Sequence, residues 1–211
     1  MPPLGVKKFA RTEWLVGNAK DESVGYVKIG LISDTHVPGA VKEPPYEVAK
    51  AFEDVDLILH AGDIYGASCI DWLEKIAPIW GVEYQGYSTF EGDDRIAEMR
   101  TVKILGHTVG IMHDIMLPGV AKEIRPGVIE ADFPGKITMA EAVQRVFDDP
   151  VDIVVFGHTH IAVMEHHDGV LFVNPGSPSL PKQLRKLGTV AILEVTPEDK
   201  KARIVDLSDF S

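Results

Sequence analysis

The sequence predicts an α/β (α+β) fold in which two sheets are covered by helices on their outer faces. Residues 27–82 contain three short apolar runs separated by two helical segments, and this β-α-β-α-β order is typical of a parallel sheet with right-handed crossovers. A hairpin and a fully apolar run follow, and residues 161–207 have the pattern of a β meander. These strands are too many for one short parallel sheet, so we expect two.

Two helices are predicted between the three strands of the first half. Pro44 and Pro45 begin the first helix, since proline is tolerated in the first helical turn. The second helix has Ile70, Leu73 and Ala77 at helical spacing. In chain order these strands and helices are 27–32, 44–54, 56–60, 66–77 and 79–82.

The second half is predicted to contain one helix and seven strands. Thr138 and Glu141 form a capping box that begins a helix ending near Phe147. The β-branched run at 151–156 is typical of a fully buried strand. Long irregular loops are expected at 83–99 and 114–137, and loops of this length inside a domain are usually functional. The remaining predicted strands are 100–105, 108–113, 161–165, 170–173, 188–195 and 202–207.

Length and composition favour one globular domain. The chain has 211 residues, of which 45% are hydrophobic, so residues 27–211 can bury one core, while residues 1–26 form an N-terminal extension of no predicted role. A single cysteine, Cys69, rules out a disulfide within the chain and favours the cytoplasm. We expect no membrane span. A net charge of −11 disfavours nucleic acid as a partner.

Four of the predicted strands end in aspartate or histidine. Carboxylate oxygen and imidazole nitrogen together suit Mn, Fe, Zn or Ni better than Ca or Mg. Six such residues exceed the needs of one tetrahedral zinc site, whereas two metals that share a bridging carboxylate would use them all. The six residues are Asp34, His36, Asp63, His113, His158 and His160.

The order of these motifs resembles that of the calcineurin-like metallophosphoesterases. The similarity covers roughly residues 27–207, and each motif directly follows a predicted strand. Smaller details are similar to the small single-domain prokaryotic phosphodiesterases of that superfamily. The motifs that carry the resemblance are Asp34-x-His36, Gly62-Asp63, His113, Gly157-His158-x-His160 and Asn174-Pro175-Gly176-Ser177.

The resemblance implies a four-layer α-β-β-α sandwich of two mixed sheets with a two-metal site at one edge. Asp34, His36 and His160 would hold the first metal, His113 and His158 the second, and Asp63 would bridge them. Two cations can clamp the attacking and leaving oxygens of a phosphoester and activate water. The implied activity is hydrolysis of a small-molecule phosphoester, most of all a phosphodiester, with His158 and Asp63 as catalytic residues. Manganese is the favoured metal, with Fe, Zn, Ni or Mg as alternatives.

One motif departs from the family pattern. The superfamily normally has Gly-Asn after the third strand, and that asparagine holds the second metal, but here Gly81 is followed by Val82. We expect Asp93 to replace the asparagine from within an inserted loop, with Gln85 or water as alternatives. His60 precedes Gly62-Asp63 and is expected to support the ligands or to pack rather than to bind metal.

A different class of function stays open at this point. A eukaryotic retromer subunit of this fold has largely lost hydrolysis, so a non-catalytic scaffold with a retained metal site is the alternative. The six retained ligands favour the enzyme, and the missing asparagine favours the scaffold. The oligomeric state, including a homo-oligomer, stays open. Four basic residues could contact a substrate phosphate, although surface solvation is the simpler interpretation: Lys122, Arg125, Lys182 and Arg185.

Overall fold

The structure is a computed structural model that describes residues 9–13, 25–83, 87–115, 117–120, 124–129, 131, 133, 135 and 137–211. Within these residues the chain forms two six-stranded sheets and three α-helices. In chain order the elements are β1 (Phe9–Glu13), β2 (Val27–Ile32), α1 (Tyr46–Ala51), β3 (Leu57–His60), α2 (Ala67–Leu73), β4 (Ile79–Val82), β5 (Ile96–Ala97), β6 (Met99–Ile104), β7 (His107–Ile111), α3 (Met139–Phe147), β8 (Ile153–Val155), β9 (Val163–His167), β10 (Val170–Asn174), β11 (Thr189–Val195) and β12 (Lys200–Asp206). Short 3₁₀ turns occupy Tyr87–Phe90, Pro181–Gln183 and Leu207–Phe210.

Both sheets are mixed. The first has the order β12-β11-β2-β3-β4-β5, in which β2 to β5 are parallel and β11 is antiparallel to both of its neighbours. The second has the order β1-β6-β7-β8-β10-β9, with β7, β8 and β10 parallel. Parallel neighbours carry their carboxyl ends to one edge, so the loops after β2, β3, β7 and β8 can meet there.

The two sheets and the helices on their outer faces form four layers. Leu31 and Leu59 of the first sheet pack against residues such as Val109 and Val155 of the second in a central core. A second core covers the outer face of the first sheet with α1 and α2, and a third covers the outer face of the second sheet with α3. The predicted α-β-β-α sandwich is therefore confirmed.

Predicted elements with strong local signals agree with the structure. β2 and β4 have the predicted bounds, and the capping box at Thr138 is present, since its hydroxyl accepts a hydrogen bond from the backbone N–H of Glu141. The first two helices are shorter than predicted. The strand predicted at 161–165 begins instead at Val163.

Two strands were not predicted. β1 lies in the N-terminal extension and pairs in parallel with β6, so this part of the extension belongs to the second sheet. β5 lies in the segment predicted as a loop and pairs in parallel with β4. Both lie at sheet edges and depend on a distant partner, which a local pattern does not show. Among the described residues no helix is both long and apolar enough to cross a bilayer.

Candidate metal centre

The loops that follow four strands meet at one edge of the two sheets. Backbone hydrogen bonds tie them in pairs: the N–H of Asp34 donates to the carbonyl of Gly62, and the N–H of Gly157 donates to the carbonyl of His113, both at 2.9 Å. The loop after β2 is thus joined to that after β3, and the loop after β7 to that after β8. Six predicted ligands are held at this edge by main-chain contacts.

Four of these residues form a tight group. One ligand atom from each of Asp34, His36, Asp63 and His160 lies within 4.8 Å of all the others. The Nε2 atoms of His36 and His160 are 3.1 Å apart. His36 Nε2 lies 3.3 Å from Asp63 Oδ2, and His160 Nε2 lies 3.4 Å from Asp34 Oδ1. Two nitrogens and two carboxylates therefore surround a common point.

Hydrogen bonds determine which ring nitrogen of two histidines is free. His160 Nδ1 lies 2.8 Å from the carbonyl of Leu180, and His113 Nδ1 lies 2.9 Å from the carbonyl of Ala61. A carbonyl only accepts, so Nδ1 carries the proton and Nε2 presents a lone pair. Burial lowers the pKa of His36 and of His113, which favours the neutral imidazole that binds metals.

Asp34 adds a buried carboxylate to this group. Its Oδ1 accepts a hydrogen bond of 3.0 Å from the N–H of His158, whereas its Oδ2 is buried with no hydrogen-bond partner among the described residues. A Cβ on Gly157 would lie 2.6 Å from Oδ2, so glycine leaves the room that this oxygen occupies. Burial raises the pKa of Asp34 well above its ordinary value. An uncompensated carboxylate beside the Nε2 atoms of two histidines fits a divalent cation.

Asp63 also faces a second pair of histidines. Its Oδ2 lies 3.6 Å from His113 Nε2, and the ring of His113 meets that of His158 edge-on at a centroid distance of 5.4 Å. His158 is the exposed member of the six, while His113 is buried. Asp63 thus belongs to the four-residue group and also contacts His113, whose ring meets that of His158.

The backbone of most of these residues lies in the left-handed region. Non-glycine residues seldom adopt a positive φ, and such strain tends to concentrate at functional sites. Each of these residues lies in a loop that follows a strand at the shared edge of the sheets. The residues and their φ angles are Asp34 (53°), His36 (50°), Asp63 (54°), His158 (71°) and His160 (56°).

Asp93 is not brought into the group. Its carboxylate accepts two short hydrogen bonds from Arg95, of 2.9 Å from Nε to Oδ1 and 2.7 Å from Nη2 to Oδ2. This guanidinium holds the pKa of the Asp93 carboxyl below its usual range. Arg95 also contacts Glu74 at 2.7 Å, so Asp93 belongs to a surface ion-pair network. The alternative ligand, Gln85, lies outside the described residues.

Glu83 is a site residue that the sequence reasoning missed. It directly follows β4 and is 1% exposed, and its Oε2 accepts a 2.8 Å hydrogen bond from the N–H of Ile64. Its Oε1 is buried with no hydrogen-bond partner among the described residues, and burial raises its pKa to about 7. Because Ile64 follows Asp63, Glu83 anchors the loop that presents the central carboxylate. The signal was its position as the first polar residue after the third strand.

Asn174 joins two loops beneath the site, the double-histidine loop and the loop after β10. Its Nδ2 donates to the carbonyl of Gly157 at 2.7 Å and to Thr159 Oγ1 at 3.1 Å, and its Oδ1 accepts from the N–H of Gly176 at 2.9 Å. The Asn-Pro-Gly-Ser motif was recognised in the sequence, but its contacts were not. It holds the double-histidine loop against the end of β10.

His60 supports the group from below. The N–H of Gly62 donates to its Nδ1 at 3.2 Å, so the proton resides on Nε2, which lies 3.0 Å from Thr35 Oγ1. Burial lowers the pKa of His60 to about 3. These contacts agree with the predicted supporting role.

The basic residues expected near the site differ in position. The N–H of Lys182 donates to the carbonyl of His160 at 3.3 Å, so this residue borders the metal group. Arg185 is exposed on the same loop, and Arg125 is exposed elsewhere on the surface. Lys122 lies outside the described residues.

The chain matches the family model of the calcineurin-like phosphoesterase superfamily domain over residues 27–198, and it belongs to that superfamily. It is 30% identical over 178 residues to a "Probable metallophosphoesterase" of Methanothermobacter thermautotrophicus, a match that covers 84% of this chain and 91% of the relative. The family confirms the resemblance drawn from the motifs and implies divalent metal ions.

Two solved structures share the fold at low sequence identity. Vacuolar Protein Sorting 29 from Cryptosporidium parvum is 20% identical with a TM-score of 0.61, covering 86% of this chain and 97% of that one. A protein described as a novel archaeal phosphodiesterase is 22% identical with a TM-score of 0.53, covering 84% of this chain and 99% of that one.

Proposed function

We propose that this protein is a binuclear metal-dependent phosphodiesterase that hydrolyses a small-molecule phosphoester. The observation that carries the proposal is the group formed by Asp34, His36, Asp63 and His160, whose ligand atoms converge within 4.8 Å. Divalent cations bound there would neutralise phosphoryl oxygens and activate water, which is the chemistry that phosphoester hydrolysis requires.

The proposed ligand roles are those that the family resemblance implies, and the distances support them. Asp34, His36 and His160 are proposed for the first metal, and His113 and His158 for the second. Asp63 is proposed as the bridging ligand because its Oδ2 lies 3.3 Å from His36 Nε2 and 3.6 Å from His113 Nε2. Asp93 is left out of this assignment, since its oxygens already accept hydrogen bonds from Arg95.

The protein residues also position the reaction. The N–H of His158 holds Asp34, and the exposed ring of His158 is the proposed ligand most accessible to substrate, while water would protonate the leaving oxygen. A phosphodiester carries one negative charge and a monoester close to two. The net charge of −11 therefore favours the diester, and the fold similarity to an archaeal phosphodiesterase supports the same choice.

Metal stoichiometry and hydrolysis together test the proposal. The chain is loaded with Mn, Fe, Zn, Ni or Mg, its bound metal is counted by mass spectrometry, and hydrolysis of bis(4-nitrophenyl) phosphate is compared with that of 4-nitrophenyl phosphate. We expect two ions per chain, most activity with Mn, and preference for the diester. His158→Ala should bind one ion fewer per chain, and its kcat/KM should fall by at least about tenfold.

His166→Ala is the matched control, because His166 is an exposed histidine on β9. It should bind two ions and keep full activity. Binding of a single ion with turnover would contradict the binuclear centre alone. Binding of metal without hydrolysis of either ester would contradict the enzyme and favour the scaffold. A cytoplasmic location is a further prediction from the sequence.

A further inference from the structure

Tyr65 is an exposed aromatic residue at the border of the metal group. It lies two residues after Asp63 and is 50% exposed. Its ring meets that of His36 edge-on, with centroids 4.7 Å apart and an interplanar angle of 88°. One side of the ring is therefore fixed against a proposed metal ligand, while half of the side chain stays accessible.

The backbone of Tyr65 is strained. Its φ is +77°, a conformation that is an outlier for a bulky side chain. Two other exposed tyrosines, Tyr26 and Tyr46, have no positive φ. Burying half of the ring stabilises the fold too little to offset the cost of this backbone conformation. Strain of this kind tends to be kept where a side chain has a functional position.

The neighbouring chain is shaped to hold this ring. Val37 pairs with Tyr65 in a parallel bridge, and the N–H of Val37 donates to the carbonyl of Ile64 at 3.1 Å. Gly39 lies against the ring, because a Cβ at that position would be 3.0 Å from Tyr65 Cδ2. The ring is thus held in one place beside His36.

We propose that Tyr65 is a specificity-determining residue that packs against a planar aromatic substituent of the substrate. This inference rests on the proposed function, since a phosphoester held at the metal group would extend a substituent past His36, against which the half-exposed Tyr65 ring packs. A tyrosine face or edge attracts another aromatic ring by dispersion and quadrupole interactions. The substrate class is a phosphodiester with an aryl or similarly flat group on the side of His36.

Two diesters with one leaving group test this role. Bis(4-nitrophenyl) phosphate and methyl 4-nitrophenyl phosphate both release nitrophenolate. The substituent that stays on phosphorus is aromatic in the first and a methyl group in the second. Tyr65→Leu should raise KM about threefold to tenfold for the aryl diester, with little change for the methyl diester or in kcat. Tyr65→Phe keeps the ring and should keep the preference.

A binding measurement separates this inference from catalysis. Calorimetry on the metal-loaded protein compares the binding of phenylphosphonate with that of methylphosphonate, in which a methyl group replaces the ring. The wild type should bind phenylphosphonate more tightly, Tyr65→Leu should lose that preference, and its bound metal should not change. Tyr26→Leu is the control, because Tyr26 directly precedes the amino end of β2, whereas the metal group follows the carboxyl end of that strand.

The outcomes distinguish the two proposals. If the wild type hydrolyses neither diester but prefers phenylphosphonate through Tyr65, the phosphodiesterase is wrong and the aromatic subsite stands. If the wild type has no phosphonate preference, or Tyr65→Leu affects the aryl and methyl compounds equally, the subsite is wrong, whatever the activity.

Discussion

Substitution of Gly62 by alanine should damage both stability and the metal centre. Gly62 has a φ of +94°, and a Cβ there would lie 2.6 Å from His113 Nδ1 and 2.7 Å from its Cβ and Cγ. His113 is 4% exposed and is held by the carbonyl of Ala61, so it cannot move away without losing that hydrogen bond.

Gly92 offers a matched control that separates backbone strain from crowding. Its φ is +86°, yet a Cβ there would have no atom within 4 Å. Gly92→Ala should cost only the left-handed backbone penalty of about 1–2 kcal/mol. Gly62→Ala adds an overpacking cost of about 1–3 kcal/mol, so its free energy of unfolding should fall by the sum of the two.

Urea unfolding of metal-free protein measures both costs, and calorimetric titration with Mn measures the metal centre. Gly62→Ala should weaken metal binding because it displaces His113, whereas Gly92→Ala should bind metal as the wild type does. Equal losses of stability in the two variants, or unchanged metal binding by Gly62→Ala, would refute the steric reasoning.

Three further predictions concern residues beneath the ligands. At pH 8, Glu83→Ala should be about 1–3 kcal/mol less stable than Glu83→Gln, because only alanine leaves the N–H of Ile64 unpaired; equal unfolding midpoints would contradict the anchoring role. The pKa of His60 is about 3 in the folded protein and ordinarily 6.5, so between these pH values the unfolded chain binds more protons than the folded chain. The free energy of unfolding therefore falls as the pH falls, by up to about 1.4 kcal/mol per pH unit. His60→Gln should lose this part of the slope in pH-dependent urea unfolding of metal-free protein, and an unchanged slope would count against it. Asn174→Asp should cost about 1–3 kcal/mol, because an acceptor would face the carbonyl of Gly157 at 2.7 Å, and a variant as stable as the wild type would show that this contact is dispensable.

Local signals in the chain were sufficient for most of the fold. The capping box at Thr138 and the apolar run at 151–156 depend on neighbours in sequence, so their elements were predictable. β1 was not predictable, because its pairing with β6 joins residues about 90 positions apart at a sheet edge. The number of layers followed from the resemblance and from the count of strands.

The acidic residues after β4 show why the site was harder to predict. Asp93 and Glu83 are both acidic residues that follow β4, and their positions in the sequence do not say which of them supports the metal group. In the structure Arg95 binds Asp93, while Glu83 is buried and accepts a hydrogen bond from the N–H of Ile64, next to Asp63. Desolvation and ion pairing made that distinction, and both depend on contacts between distant parts of the chain.

The sequence by itself determined the kinds of donor atom, their order and the strands that carry them. The tertiary structure decided that the Nε2 atoms of His36 and His160 lie 3.1 Å apart and that Asp63 contacts both His36 and His113. The physical reason is that parallel strands end at one edge, where backbone hydrogen bonds join the loops that follow them. Such convergence needs all four loops at once, so no single motif contains it.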